Sequence, residues 1–303
     1  MQDVLGEEAA RGLGRLCERP ARDAIVSAPP HPGLERIEAR FAGNAYDLHR
    51  HDTYAIGVTL HGVQTFWYRG ERRHSTPGNI IAIHPDEIHD GAAGTDDGLR
   101  YRMLYLQPAL ALESLGRCQS ALPFVANPVI EDPALYAALA AALGNLEDDL
   151  DDLLVDDVVS QLTQGLARHA GHPVRSLDAP AMRQARLVRE YLEEHALRLV
   201  KSDELEAVSG LDRYALSRHF RRLYATSPHR FLLMRRLQRA RELIMKGEPL
   251  AGIALETGFT DQSHLNRQFK KAFGVTPGRW AALTGVEPGD SPTRLPERQL
   301  AQL

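Results

Sequence analysis

The spacing of apolar residues divides the chain into regions of different period. Between Ile37 and Leu106 the apolar residues come in short runs closed by turn signals: Tyr54–Leu60 before Gly62, Gln64–Tyr68 before Arg69-Gly70, Gly78–Ile83, and Tyr101–Leu106. Short runs rich in Ile, Val, Tyr and Phe read as strands, and several at regular spacing predict a small antiparallel barrel or sandwich. From Pro133 the period changes. Leu146, Leu150, Leu153/Leu154, Val158, Leu162 and Leu166 recur at three- or four-residue steps, as on an amphipathic helix. Its opposite face is acidic (Glu147, Asp148, Asp151, Asp152, Asp156). Two burials are open to this stripe, packing on the barrel and a dimer seam between copies, and both can hold together. Residues 1–20 are compatible with helix but carry no core pattern. Gly171-His172-Pro173 through Ala179-Pro180 reads as a linker. Ala181–Leu283 reads as all helix, and the Pro- and Gly-containing stretch after Gly285 as a disordered tail. The expected organisation is multidomain: a β-barrel with helices over 1–170, a linker over 171–180, an all-α domain over 181–285 and a tail over 286–303.

The all-α region repeats itself. Leu216-Ser217-Arg218-His219-Phe220 through Pro228-His229-Arg230 returns 49 residues later as Leu265-Asn266-Arg267-Gln268-Phe269 through Pro277-Gly278-Arg279. Each copy follows a short helical stretch and a glycine, Leu205–Gly210 in the first and Ile253–Gly258 in the second. Helix, glycine turn, second helix is the helix-turn-helix pattern. Ser202 is the expected cap of the first helix, and Asp212 and Thr260 or Asp261 of the second helices. Gly210 and Gly258 permit the positive backbone angle that closes a helix. Leu211, Leu216 and Phe220, and likewise Phe259, Leu265 and Phe269, form the stripes to be buried. Pro228 and Pro277 suit the first position of a following helix. Pro228–Lys246 reads as one continuous helix joining the two units.

The other face of each second helix carries the chemistry. Tyr214, Ser217, Arg218 and Arg221 share one side, and Ser263, Asn266, Arg267 and Lys270 hold the same places in the second copy. Arg, Asn and Ser are residue types that read base edges, while Lys and outlying Arg suit phosphates. A solvated face is the alternative, and its duplication in register weighs against that. Charge agrees: Ala181–Gly285 holds 19 Lys/Arg against 11 Asp/Glu, whereas the rest holds 17 against 29, so the overall −4 conceals a basic C-terminal region. No apolar run approaches membrane-span length, and Met1–Glu8 lacks the basic start and apolar stretch of a signal peptide. A cytoplasmic location is expected. Cys17 and Cys118 form neither a disulfide framework nor a metal cluster.

The run Gly252–Pro277 closely resembles the signature of AraC/XylS-type regulators, and the likeness extends over Arg183–Ala282. The resemblance implies two helix-turn-helix units on a linking helix, each placing a recognition helix in the major groove of an operator. It puts base reading on Tyr214, Ser217 and Arg218, and on Ser263, Asn266 and Arg267. His264 stands where the family commonly has an aromatic residue. Ile37–Leu106 resembles the family's cupin-like effector domain, through His49-Arg50-His51-Asp52-Thr53-Tyr54, Gly62, Pro77-Gly78-Asn79 and Pro85–His89. A transcription regulator controlled by a small-molecule effector is therefore expected. Its implied partners are double-stranded DNA, a second copy of the chain and RNA polymerase.

His49, His51, Tyr54 and His89 are the expected effector-binding residues. His49 and His51 lie two apart on an expected strand and so point the same way, with His89 able to close over them. Three imidazoles also suit Zn or Fe, as in cupin enzymes, but Asp52-Thr53-Tyr54 lacks the Glu of the usual cupin metal pattern. The expectation is no metal, no cofactor and no enzymatic activity. A metal-dependent oxygenase, the rival reading, does not account for the paired helix-turn-helix units. A repair protein on the same DNA-binding domain would need a clustered reactive Cys, and no Cys-x-x-Cys is present.

Overall fold

Antiparallel strands begin earlier than the apolar runs indicate. The computed structural model describes residues 23–116, 121–171 and 177–286. The strands are β1 (Ala24–Ser27), β2 (Leu34–Phe41), β3 (Asn44–His49), β4 (Tyr54–His61), β5 (Gln64–Tyr68), β6 (Glu71–Ser75), β7 (Ile80–Ile83), β8 (His89–Ala93), β9 (Leu99–Leu106) and β10 (Val129–Ile130). They form two sheets, ordered β1-β2-β9-β4-β7-β10 and β3-β8-β5-β6. The expected start at Ile37 is thus corrected to Ala24. β2 was hidden because its sequence, Leu-Glu-Arg-Ile-Glu-Ala-Arg-Phe, looks half charged. Arg36 is nevertheless only 1% exposed. Its guanidinium donates to the carbonyls of Ala142 (3.0 Å), Asn145 (3.1 Å) and Asp148 (2.7 Å). Arg102 on β9 donates to those of Leu143 and Gly144 and bridges to Glu38 at 2.9 Å. Two sheet arginines thus satisfy carbonyls left over at a helix C-terminus.

That helix is α2 (Pro133–Leu143), which with α1 (Pro108–Ser114) and α3 (Asp152–His169) completes the first compact unit, formed by most of the chain up to Pro173. Asp132 caps α2 through the N–H groups of Ala134 and Leu135. It also accepts from Arg168 (3.3 Å) and His169 (2.9 Å) at the end of α3, so one carboxylate ties two helix ends together. The long amphipathic helix expected from Leu146 starts only at Asp152, where Asp151 accepts the N–H of Leu154. Leu146 is buried outside any helix and Leu153 is 81% exposed. The buried stripe is Val155, Val158, Val159, Leu162 and Leu166, packed on α2 and α1. It is covered by its own chain. Gly165 permits the close approach, since a Cβ there would stand 2.5 Å from Cδ1 of Leu135.

The second unit takes in the chain from Val174 onward together with His49–Asp52 and Arg117–Leu122, and from Val174 its described elements are all helices: α4 (Ala179–Glu194), α5 (Ser202–Ser209), α6 (Arg213–Tyr224), α7 (Pro228–Met245), α8 (Leu250–Glu256), α9 (Gln262–Phe273) and α10 (Pro277–Leu283). Asp178 caps α4, so helix begins inside the expected linker. The stretches 1–20 and 287–303 and both cysteines lie outside the described residues. Among the described residues, no helix is long and apolar enough to cross a membrane.

Candidate nucleic-acid interface

Both helix-turn-helix units form where the repeat predicts them, and their local chemistry explains why. Gly210 and Gly258 adopt positive φ, 68° and 77°, and turn the chain between helices. Asp212 accepts from the N–H groups of Tyr214 (2.9 Å) and Ala215 (3.0 Å), and Asp261 from that of His264 (2.7 Å). These bonds stabilise the ionised caps and hold both carboxyls below their ordinary range. Pro228 and Pro277 open α7 and α10. One expected cap is corrected. Ser202 is the first residue of α5, and the freed N–H at its entrance, that of Lys201, is taken by Glu204 at 2.8 Å. Glu204 is held at about 2, chiefly by Arg198.

The buried faces of the two copies match. Leu216 and Phe220 of α6, and Leu265 and Phe269 of α9, are each at most 2% exposed. Phe220 packs on Tyr224 and Phe231, with ring centroids 4.8 and 5.5 Å away. Phe269 packs on Phe273 (4.6 Å) and Trp280 (6.4 Å). His264 meets Phe259 edge-on at 5.4 Å and Thr260 at 3.1 Å, so its ring fills an aromatic's place. The copies differ at the end of the second helix, where Gly274 adopts φ 74° and its counterpart Ala225 φ 59°.

The outward face separates cations by partner. Arg213 is tied to Glu206 (3.0 Å) and Asp203 (3.4 Å), which removes it from binding duty. Arg218, Arg221 and Arg267 are exposed and make no ion pair among the described residues. Tyr214 is 71% exposed, Ser263 and Lys270 are also exposed, and Ser217 and Asn266 are half-buried. Asn266 keeps its side-chain oxygen without a bonded donor. All eight expected residues thus lie on α6 and α9, four to each helix, in equivalent places.

Sequence reasoning missed the clamp between the copies. Arg236, in the middle of α7, donates to the carbonyls of Ala196 (2.8 Å) and Arg198 (2.7 Å) before the first unit, and to Gly258 (3.3 Å) in the turn of the second. Burial pulls its pKa down from the arginine value. Arg239 reaches Glu256 of α8 at 3.2 Å. In sequence these arginines are indistinguishable from a basic face.

In the strand-rich unit, β3 ends at His49, so His51 is not on that strand as expected. His49 and His51 group with the second compact unit, whereas His89 is the first residue of β8 in the strand-rich one. All three are buried. His89 bonds through Nδ1 to the carbonyl of Glu87 at 3.0 Å, and burial lowers its pKa to about 4. Tyr54 has partners of its own. Its hydroxyl donates to Pro123 at 2.7 Å and its ring meets His84 edge-on at 5.3 Å. A cleft of about 410 Å³ lies at the far end of β4, lined by Arg40, Leu60, His61, Asp97 and Arg100 among others, and none of the four expected effector residues reaches it.

Comparison with known proteins agrees with both halves. The family model of the AraC-like ligand binding domain matches residues 31–163, and that of a helix-turn-helix domain matches residues 205–282. The chain belongs to the AraC-type transcription regulators. The AraC-type chain is 24% identical over 240 residues to the uncharacterized HTH-type transcriptional regulator YbfI of Bacillus subtilis, covering 78% of this chain and 87% of that one. It is 24% identical over 255 residues to the transcriptional activator RhaS of Citrobacter koseri, covering 80% and 89%. ToxT from Vibrio cholerae shares the fold, with a TM-score of 0.61 at 13% identity over 83% of this chain and 99% of that one. A further ToxT structure contains a bound unsaturated fatty acid. This AraC-type regulator thus joins a ligand-binding domain to a helix-turn-helix DNA-binding domain.

Proposed function

We propose that α6 and α9 enter successive major grooves on one face of an operator. In this reading Tyr214, Ser217 and Arg218, and Ser263, Asn266 and Arg267, face base edges, while Arg221 and Lys270 meet phosphates. The observation that carries it is the pair Arg218 and Arg267, equivalent in the repeat, exposed, and without an acidic partner where Arg213 has two. The ligand-binding domain takes a small-molecule effector, for which His49, His51, Tyr54 and His89 are the contacts in this reading. Effector binding shifts the balance between two states of the regulator, which requires unequal affinity for them. The protein works in the cytoplasm as a homodimer that contacts RNA polymerase and has no catalytic activity of its own. The apolar stripe of α3 is not the dimer seam in this reading, because α1 and α2 cover it.

The test is a mobility shift of the purified protein on its own upstream intergenic DNA, with random duplex as competitor. A shift that survives the competitor is the expected result. Binding no better than to random DNA, with and without cell metabolite extract, counts against operator reading at that locus.

A further inference from the structure

The six-stranded sheet carries more cations on one face than its own acids answer. Arg36 and Arg40 stand on β2, and Arg100 and Arg102 on β9. Residues two apart on a strand share a face, and the register sets Glu38 opposite Arg102 and Arg40 opposite Arg100. His61 of β4 extends the row, facing Arg100 from the other side. Three of the four arginines have partners. Arg36 and Arg102 are held by carbonyls at the end of α2, and Glu38 divides its two oxygens between Arg102 (2.9 Å) and Arg40 (2.8 Å). Both bonds of Arg40 to Glu38 use Nε and Nη2, which leaves its Nη1 to spare. The side chains of Arg100 and His61 make no hydrogen bond or ion pair among the described residues. Like charges directly opposite one another destabilise a strand pair, so Arg40 against Arg100 is a cost at this place.

That cost coincides with the cleft of about 410 Å³, where Arg40, His61, Asp97 and Arg100 surround Phe41 and Leu60. Small-molecule sites start at roughly 300 Å³. The wall of the cleft is preformed. Gly62 and Gly98 adopt φ 72° and 79°, and a Cβ on Gly62 would overlap the carbonyl oxygen of Gly98, so the turns after β4 and before β9 press together. The N–H of Gly94 donates to the carbonyl of Val63 at 2.7 Å and ties the same two turns. We propose that this cleft binds a small organic monocarboxylate, with the carboxylate on Arg100, Nη1 of Arg40 and the ring of His61, and the apolar part against Leu60. A guanidinium offers a carboxylate a planar pair of N–H donors. Asp97 on the rim repels a second negative charge, which favours a monoanion over a phosphate dianion. The site shares no residue with the effector reading above and goes beyond it.

The experiment titrates the full-length protein with hexanoate and with benzoate by calorimetry, beside benzamide as the neutral counterpart and inorganic phosphate as the dianion. Saturable binding of a carboxylate, one per chain, is expected, with benzamide giving none. Phosphate should bind at least ~10-fold more weakly than the carboxylate, and Asp97→Asn should narrow that gap. Arg100→Gln should weaken carboxylate binding at least ~10-fold, whereas Arg72→Gln, on the other sheet, and His89→Gln leave it unchanged. Far-ultraviolet circular dichroism checks that each variant is folded. Three results overturn the proposal: no saturable binding of either carboxylate, binding that survives Arg100→Gln in folded protein, or phosphate bound as well as the carboxylate. Loss of binding in His89→Gln but not in Arg100→Gln would place the ligand at the expected effector residues instead, so failure of this site and failure of the effector reading remain distinct.

Discussion

Arg218 and Arg267 occupy equivalent places on their helices, yet each would meet its own base step. Arg218→Ala or Arg267→Ala should weaken operator binding by about 1–3 kcal/mol and relax preference at a single position. Titration against operators varied at each base checks this, and equal losses on random DNA would argue against base reading. Lys270→Ala should instead weaken all sequences alike and lower the salt slope by about one ion. Ala225 carries a residue-scale cost of another kind. It holds φ 59° where its counterpart is glycine at 74°. A Cβ in that left-handed region costs roughly 1–2 kcal/mol, so Ala225→Gly should stabilise the helical unit by about 1 kcal/mol, read by denaturant unfolding.

Elements here are joined by arginines and capping acids as much as by apolar faces. Arg236→Met keeps the length of the side chain but leaves the carbonyls of Ala196, Arg198 and Gly258 without their donor. A loss of about 2–3 kcal/mol in stability is expected, together with weaker operator binding, because the two readers lose their shared brace. Asp132 predicts a pH dependence. The Leu135 N–H first, then His169 and Arg168, hold its carboxyl at about 2, against 3.8 unperturbed. A depressed pKa contributes stability that is fully present above 3.8 and disappears as pH falls through about 2. Asp132→Asn retains a good helix cap but removes the charge, so acid unfolding of the variant should be shallower over that window. Local signals of this kind were legible in advance: Asp212, Asp261, Gly210, Gly258, Pro228 and Pro277 each act within a few residues of themselves. β2 was illegible for the opposite reason. Arg36 is buried only because helix-end carbonyls more than a hundred residues away receive it. The start of α3 was misplaced because leucine spacing continues through Leu146 and Leu150, while the chain does not become helical until Asp151 provides a cap.

At the scale of the whole molecule, two units with separate cores should unfold in two steps. Calorimetry should show two transitions, with operator duplex raising one midpoint through binding to the native helical unit. A single transition unmoved by DNA would contradict this assignment. The histidines illustrate how far sequence reaches toward a site. Their His-x-His spacing marked them, although β3 stops at His49 and the strand argument for a common direction does not apply to His51.

The linking helix α7 is an unbroken rod of 18 residues, roughly 27 Å long, braced at its middle by Arg236. One residue inserted into it would swing α9 by roughly 100° about the helix axis relative to α6, because each residue adds that much rotation. Under the proposed reading, the rod fixes the distance between the two words read by one copy of the chain. A search for that pair in a genome then requires a single spacing rather than a range.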